Sequence, residues 1–256
     1  MKKPLILVTN DDGITAPGIR NLISVMNELG RVVVVAPDKP QSGMGHAITI
    51  NATLRVNKIK SDGPQQEYSC TGTPVDCVKV AINEVLKEKP ALIVSGINHG
   101  SNSSVNVIYS GTMSAAVEGA LENIPSIGFS LCNFSIEADF SPALKYVKSI
   151  AEKVLEKGLP ARTCLNVNFP SVPAEMIQGV RICRQALGYW EEELDKRTDP
   201  SGKEYFWLTG KFKNLDNAED TDEWALANNY VSVVPVLTDF TAHSAIEHLK
   251  SIHLNK

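Results

Sequence analysis

Short β-rich apolar runs alternate with segments of helical periodicity through the first half of this chain. Residues 5–9 and the β-branched run 32–35 are typical of strands covered on both faces. Between them, apolar side chains recur at helical spacing from Ile19 to Leu29, and Gly30 ends the predicted helix. This alternation is the pattern of βαβ units, so we predict an α/β fold built on a parallel sheet.

The same reasoning places six further elements before residue 170. A second helix is predicted to begin at Pro74 and to end before Pro90. Its predicted buried face comprises Val75, Val78, Ile82, Val85 and Leu86. The remaining predictions are a strand over 91–94, a helix over 112–122, a strand over 127–130, a helix over 143–155 and a strand over 164–169.

The sequence changes character after Arg184. Residues 188–229 are polar, acidic and aromatic, and they contain all three tryptophans. The turn signal Asp-Pro-Ser-Gly at 199–202 predicts a long β-hairpin, which would be either an arm packed on a neighbouring subunit or a surface flap. A strand over 231–237 and a helix over 242–252 follow. We therefore predict a single domain over residues 1–256, with its core in 1–185 and a C-terminal extension in 186–256.

Composition limits the classes of partner and compartment. The formal charge of −4 and the isoelectric point near 5.8 argue against binding to duplex DNA, which requires a basic face. Five scattered cysteines without a C-x-x-C motif predict reduced thiols in a cytoplasmic protein. The apolar run at the start is too short for a signal peptide, and we expect no membrane span.

Polar clusters follow the predicted strands where each strand ends. Asp11 and Asp12 follow the first strand, Ser42 lies in the Gly-rich loop after the second, and Asn98 follows the strand ending at Val94. The segment 109–112 leads into the next helix. Ligands bind beyond the carboxyl ends of the strands in an open parallel sheet. We therefore expect all four clusters to meet at one edge.

The chemistry of these side chains suggests two adjoining sites. Asp11, Asp12, Ser42 and Asn98 form an all-oxygen set that suits Mg²⁺ or Mn²⁺, with water completing an octahedron at about 2.1 Å. Ser110, Gly111 and Thr112 at a helix start offer backbone N–H groups and hydroxyls to an anion such as phosphate. The simpler alternative is that an Asp, Ser110 or Thr112 only caps a helix.

Other chemical fingerprints are missing or incomplete in the sequence. Gly43-Met44-Gly45 lacks the third glycine of the dinucleotide-binding motif, and there is neither a P-loop nor an H-E-x-x-H motif. His46 and His99 lie in the predicted site loops. Either could transfer a proton or simply hydrogen-bond the loop backbone.

Taken together, these motifs resemble the survival protein E (SurE) family of 5'-nucleotidases. The matching stretches begin with residues 7–13, Pro17-Gly18, Val35-Ala36-Pro37, Gln41-Ser42-Gly43 and residues 71–77. They continue with residues 95–100 and Asn102, then Tyr109-Ser110-Gly111-Thr112, Ala115-Ala116, Glu118-Gly119 and residues 230–233 with Pro235 and Asp239. The resemblance covers nearly the whole chain and is weakest in the predicted hairpin.

The resemblance implies a Rossmann-like, three-layer α/β core and hydrolysis of nucleoside 5'-monophosphates. It assigns Asp11, Asp12, Ser42 and Asn98 to one Mg²⁺ or Mn²⁺ per subunit, and Ser110, Gly111 and Thr112 to phosphate. It also implies a homodimer or homotetramer formed through the C-terminal extension. Asn229 stands where the family usually has glycine, and Val234 where it often has threonine. Because Asn tolerates a left-handed backbone, we expect the first departure to leave the fold unchanged.

The predicted reaction is hydrolysis of a phosphate monoester by metal-activated water, with Asn98 and the 110–112 backbone holding the phosphoryl oxygens. Asp11 is the candidate general base or nucleophile. A haloacid dehalogenase-type phosphatase is a rival interpretation, but that class needs D-x-D after its strand. A nucleotide-sensing protein without turnover is a second rival. Base preference, activity on 3'-nucleotides and activity on short polyphosphate are left open by the sequence.

Overall fold

A computed structural model describes residues 3–252 of the chain. The strands of the main sheet are β1 (Leu5–Thr9), β2 (Arg31–Pro37), β3 (Val56–Ile59), β4 (Gln66–Cys70), β5 (Leu92–His99), β6 (Ser126–Leu131), β7 (Thr163–Phe169), β8 (Gly179–Ile182) and β11 (Tyr230–Leu237). A separate hairpin is formed by β9 (Gly188–Thr198) and β10 (Glu204–Asn214). The α-helices are α1 (Pro17–Leu29), α2 (Pro74–Val80), α3 (Gly111–Leu121), α4 (Ser141–Lys157), α5 (Asp222–Ala227) and α6 (Ile246–Ser251).

The sheet is mostly parallel, as the alternating sequence pattern predicts. Its strand order is β3-β4-β2-β1-β5-β6-β7-β11-β8. Strands β4, β2, β1, β5, β6 and β7 run parallel, whereas β3 and β11 are antiparallel to their neighbours β4 and β7. The chain leaves β1 toward β2 and later returns to the other side of β1 as β5. The carboxyl ends of β1 and β5 therefore flank the switch point at which such folds bind ligands.

Two helical layers cover the sheet. Ile6 and Val8 of β1 pack in one apolar cluster with α1 and α4. Leu5 and Leu7 point to the opposite face, where they pack with α2 and Ala115 of α3. Because successive side chains of a strand alternate between faces, a strand buried on both sides must be apolar throughout. This three-layer α/β core with a C-terminal hairpin confirms the predicted fold class.

Helix α2 is shorter than its apolar periodicity predicts. A capping box formed by Thr73 and Asp76 starts it, but the helix gives way after Val80 to a π-helical turn over Ala81–Val85. The Leu86 N–H donates to the Ala81 carbonyl at 2.8 Å. Ile82, Val85 and Leu86 still pack on the second core cluster. Periodicity therefore identified their burial but not the change of hydrogen bonding.

Strand β5 extends further than predicted. Residues 95–99, expected as a loop, continue the strand through His99, with a register shift against β6 between Ser95 and Asn98. The polar residues in this stretch interrupt the apolar run and conceal the strand. The short strands β3, β4 and β8 also escaped prediction, because each has only four or five residues with mixed burial.

The C-terminal part departs from its predicted outline in two places. The hairpin ends at Asn214, and a loop and the short helix α5 follow within the 188–229 stretch. The predicted helix over 242–252 is a 3₁₀ turn at His243–Ala245 followed by α6. Asn229 has a φ of 62°, which confirms that it adopts the left-handed conformation expected there. Over residues 3–252, every helix is too short or too polar to cross a bilayer.

Candidate active site at the carboxyl edge of the sheet

Asp11 is a buried carboxylate held against the start of helix α3. Its side chain is only 4% exposed, and the Thr112 hydroxyl donates to Asp11 Oδ1 at 2.5 Å. Burial raises the pKa of Asp11 to about 6, with the Asp12 charge adding to the rise and the Thr112 hydrogen bond opposing it. A Cβ on Gly111 would lie 2.7 Å from Asp11 Cβ. Glycine at this position is what allows the carboxylate to approach the helix so closely.

Asp12 lies beside His99 rather than beside the start of α3. Its Oδ2 atom accepts from the His99 backbone N–H at 3.3 Å and lies 3.3 Å from His99 Nδ1. The His99 ring makes an edge contact with Phe140, with ring centroids 4.9 Å apart. Of the two histidines proposed from sequence, His99 therefore lies at the site. His46 Nε2 is instead hydrogen-bonded to Glu118 Oε2 at 2.9 Å.

Asn98 presents its amide oxygen to the site. Its Nδ2 group donates to the carbonyl oxygens of His99 at 3.1 Å and Gly100 at 2.8 Å. Both N–H groups are thereby used within the loop, which leaves Oδ1 as the side-chain atom that faces a ligand. These bonds thus fix an acceptor at the carboxyl end of β5.

Ser42 lies on the exposed loop after β2. The loop is tied to the site by the Gln41 N–H, which donates to the Asp11 carbonyl at 2.7 Å, and by the Gly45 N–H, which donates to the Tyr109 carbonyl at 3.1 Å. Gly43 and Gly45 adopt positive φ values of 74° and 55°. The loop therefore curls over Asp11 and brings Ser42 to the same edge as Asn98.

The start of helix α3 combines a cap with an anion-binding end. Ser110 caps the helix by accepting from the Met113 N–H at 3.0 Å, and the Thr112 hydroxyl is directed to Asp11. The Ser110 hydroxyl thus caps the helix, whereas the Thr112 hydroxyl contacts a predicted metal ligand. Backbone N–H groups in the first turn of a helix lack intrahelical partners, and the helix dipole favours negative charge there. The anion-binding capacity of 110–112 consequently belongs to its backbone.

A cavity of about 450 Å³ opens over these residues. Asp11, Ser42, Asn98 and Ser110 line it, while Asp12, Gly111 and Thr112 contact it through His99 and Asp11. Its remaining walls include residues that sequence reasoning did not assign to the site, namely Phe134, Trp190, Phe212, Glu223 and Leu226. They lie far along the sequence from the predicted site residues, and no local motif marks them. Tyr109, which begins the 109–112 segment, also lines the cavity.

The donor set fits a hard divalent cation. Within residues 3–252, no three His, Cys, Asp or Glu side chains group closely enough to hold a metal ion. The predicted ligands are instead two carboxylates, one hydroxyl and one amide oxygen, and hard cations accept such a mixed oxygen set. The raised pKa of Asp11 shows that burial disfavours its charged form, which a nearby positive charge would stabilise.

Known proteins similar to this chain share one description. The model of the family described as survival protein SurE matches residues 6–192. The 5'-nucleotidase SurE of Flavobacterium psychrophilum is 65% identical over 257 residues, covering 100% of both chains. The protein of the same name from Christiangramia forsetii is 63% identical, covering 99% of this chain and 98% of its own. The crystal structure of the SurE protein from Aquifex aeolicus matches with a TM-score of 0.84 and 39% identity, over 98% of this chain and 100% of that one.

Proposed function

The chain belongs to the survival protein SurE family and is a 5'-nucleotidase, and we propose that it hydrolyses nucleoside 5'-monophosphates at the site around Asp11. The observation that carries this assignment is the buried Asp11 carboxylate, held by Thr112 at the mouth of a 450 Å³ cavity. We propose that the polar side chains of its lining form the end that takes the phosphate and the aromatic side chains the end that takes the nucleoside. Its volume is in the range of sites that enclose small ligands.

The phosphate binds at the polar end of the cavity. The backbone N–H groups at the start of α3 donate to the phosphoryl oxygens, and the α3 dipole favours their negative charge. Tyr109 and Trp190 line the aromatic end, where flat rings stack on a base. The Trp190 ring is held in place because its Nε1–H donates to Asn106 Oδ1 at 2.8 Å.

Asp11, Asp12, Ser42 and Asn98 are the residues that would hold a Mg²⁺ or Mn²⁺ ion. Such an ion, when bound, withdraws charge from a phosphoryl oxygen and lowers the pKa of bound water. We assign metal binding to all four side chains because they supply only oxygen donors. Asp11, Ser42 and Asn98 line the same cavity, and Asp12 contacts His99, which also lines it. One cation per subunit satisfies this set.

The hydrolytic step requires a proton acceptor and a positioned water. Attack of water on phosphorus forms one P–O bond as the bond to the 5'-oxygen breaks, and the proton that the water loses balances the proton that the departing nucleoside oxygen gains. Asp11 Oδ1 is occupied by the Thr112 hydroxyl, so Oδ2 is the oxygen that accepts the proton of the attacking water.

Phosphate release provides the direct test of this proposal. We expect the purified protein to release inorganic phosphate from AMP and GMP with Mg²⁺ or Mn²⁺ present, and EDTA to abolish the release. Asp12→Ala should lose both turnover and Mn²⁺ binding measured by calorimetry, because a carboxylate ligand is removed while the fold is kept. Undiminished turnover in EDTA would contradict the metal assignment. Parallel reactions with 3'-AMP and short polyphosphate define the substrate range.

The C-terminal part is proposed to join subunits into a dimer or tetramer. Consecutive apolar side chains of β10 stand exposed, with Phe206 at 54%, Trp207 at 58% and Leu208 at 68%. Exposed apolar patches of this kind mark protein contacts. The five cysteines are unpaired thiols, four of them buried, which supports the predicted cytoplasmic location.

Shortening the hairpin should dissociate the assembly. Because Glu191 pairs with Lys211, residues 192–210 can be replaced by an Asn-Gly turn that keeps Trp190 and Phe212 in place. We expect the full chain to sediment as a dimer or tetramer and the shortened chain as a monomer. Trp207→Ser combined with Leu208→Ser is the matched variant of full length. If the shortened chain sedimented with the same number of chains per assembly as the full chain, the proposed role of the hairpin as an arm would be refuted.

A further inference from the structure

Glu223 brings a carboxylate into the wall of the nucleotide cavity. It lies in the first turn of α5, and its Oε1 accepts a hydrogen bond from the Ser103 hydroxyl. The same cavity is lined by the aromatic side chains of Tyr109, Trp190 and Phe212. A carboxylate among aromatic rings requires an explanation, because burying its charge costs free energy.

The position of Glu223 is fixed by its neighbour Asp222. Asp222 is fully buried and accepts from the backbone N–H groups of Ser104 at 2.8 Å and Ala186 at 2.9 Å. These bonds fasten the start of α5 to the segment that follows β5 and to the segment that precedes β9. Glu223 is therefore held at a defined place in the cavity wall rather than free to swing into solvent.

The carboxylate has unused acceptor capacity. A carboxylate accepts about four hydrogen bonds, and within residues 3–252 the hydrogen bonds found give the Glu223 side chain only the one from Ser103. Burial raises the pKa of Glu223, and the nearby Asp222 charge adds to the rise. A ligand that donates hydrogen bonds to this carboxylate would offset the cost of its burial.

The location of Glu223 indicates which part of a bound nucleotide would contact its carboxylate. It cannot serve the phosphate, because like charges repel. Ser103, which holds it, follows the end of β5, where Asn98 lies at the proposed phosphate end, whereas Trp190 and Phe212 line the proposed aromatic end. The ribose lies between the phosphate and base of a nucleotide, and its hydroxyls are hydrogen-bond donors. Acidic side chains bind ribose hydroxyls in this way in dinucleotide-binding folds.

We propose that Glu223 accepts hydrogen bonds from the vicinal hydroxyls of the ribose, so that this enzyme selects ribonucleotides over nucleotides without the diol. This inference rests on the proposed function of the cavity. It assigns Glu223 to substrate specificity, apart from the metal and phosphate ligands. Its location on α5, more than 100 residues from Asn98 in the sequence, explains why no local motif reveals it.

The test compares kcat/KM for AMP with that for 2',3'-dideoxyadenosine 5'-monophosphate. A hydrogen bond to a charged group corresponds to a factor of about 10 to 100, so the wild-type protein should prefer AMP by at least about tenfold. Glu223→Ala should lower kcat/KM for AMP about tenfold and leave the dideoxy substrate within about twofold. Glu223→Gln, which keeps a neutral acceptor for Ser103, should give an intermediate ratio. Glu219→Ala, an exposed residue of the preceding loop, is the control that should retain the wild-type ratio.

Each contrary outcome has a distinct meaning. Failure of the wild-type protein to release phosphate from any nucleotide would overturn the proposed function itself. An active wild-type protein whose substrate ratio equals that of Glu223→Ala would overturn only the role of Glu223. A loss confined to GMP, with AMP unaffected, would show that the carboxylate contacts the base edge and would also overturn the proposal.

Discussion

Replacing Asp11 with Asn is expected to reduce phosphate release from AMP by about 10³-fold while the protein stays folded. The change keeps the size and hydrogen-bonding shape of the side chain but removes the negative charge and the proton acceptor. Turnover measured with saturating Mn²⁺ separates the two losses. If Asp11 only binds the metal, excess Mn²⁺ should partly restore the turnover of the variant. If Asp11→Asn retained most of its turnover under that condition, the role of Asp11 in proton transfer would be wrong.

The same variant should change how stability depends on pH. Burial raises the folded-state pKa of Asp11 from 3.8 to about 6, so the folded protein binds this proton more tightly than the unfolded chain does. The associated stability is fully present below about pH 4 and is lost as the pH rises through about 6, amounting to about 3 kcal/mol at most. Asp11→Asn has no such titration and should lack this loss.

Denaturant unfolding between pH 4 and 7 in EDTA measures the difference. We expect the unfolding free energy of the wild-type protein to fall relative to that of Asp11→Asn over this range. Saturating Mg²⁺ is the matched condition, since a bound cation stabilises the charged carboxylate and should remove the difference. Parallel pH profiles of the unfolding free energy for the two proteins in EDTA would mean that burial does not raise the pKa of Asp11.

Gly111→Ala is expected to lower kcat for AMP by about 10²-fold, with a loss of stability of about 1 to 3 kcal/mol from the crowded contact. The added Cβ would lie 2.7 Å from Asp11 Cβ and 3.0 Å from Oδ2, too close for either atom to stay in place. A catalytic group displaced by about 1 Å loses its alignment with the reacting atoms. Alanine itself suits the first turn of a helix, so α3 should still form.

Steady-state kinetics and a melting curve test this together. Leu121→Ala, at the far end of α3 and 38% exposed, is the matched control and should keep turnover within about twofold. Turnover of Gly111→Ala within twofold of wild type would mean that Asp11 tolerates the displacement. A fall in melting temperature beyond the one that this loss of stability implies would instead indicate that the contact supports the fold.

The predicted elements succeeded where burial imposes a regular pattern. The continuous apolar run of β2 and the helical spacing of Ile19, Leu22 and Met26 were sufficient, because a strand or helix covered by other layers must be apolar on its covered faces. The predictions failed where the backbone hydrogen bonding does not follow the spacing of apolar side chains. The π-helical turn after Val80 and the polar extension of β5 to His99 are the clearest cases.

The candidate site was predictable in its donors but not in its contacts. The position of Asp11 after β1 and of Asn98 near the end of β5 indicated an oxygen-lined edge. That the Thr112 hydroxyl would bind Asp11 rather than phosphate could not be read from a motif, because it depends on how α3 meets β1. Glu223 and Phe212 enter the same cavity from elements whose place is set by long-range packing.

The sequence by itself determined the α/β class, the edge of the sheet that carries the site and the oxygen donors that lie there. Those features follow from local rules, namely side-chain periodicity, caps and the order of strands and loops. The tertiary structure alone decided which donor faces which partner, how deeply Asp11 is buried and which distant residues close the cavity. These depend on contacts between segments up to about two hundred residues apart, whose distances and burial no local pattern encodes.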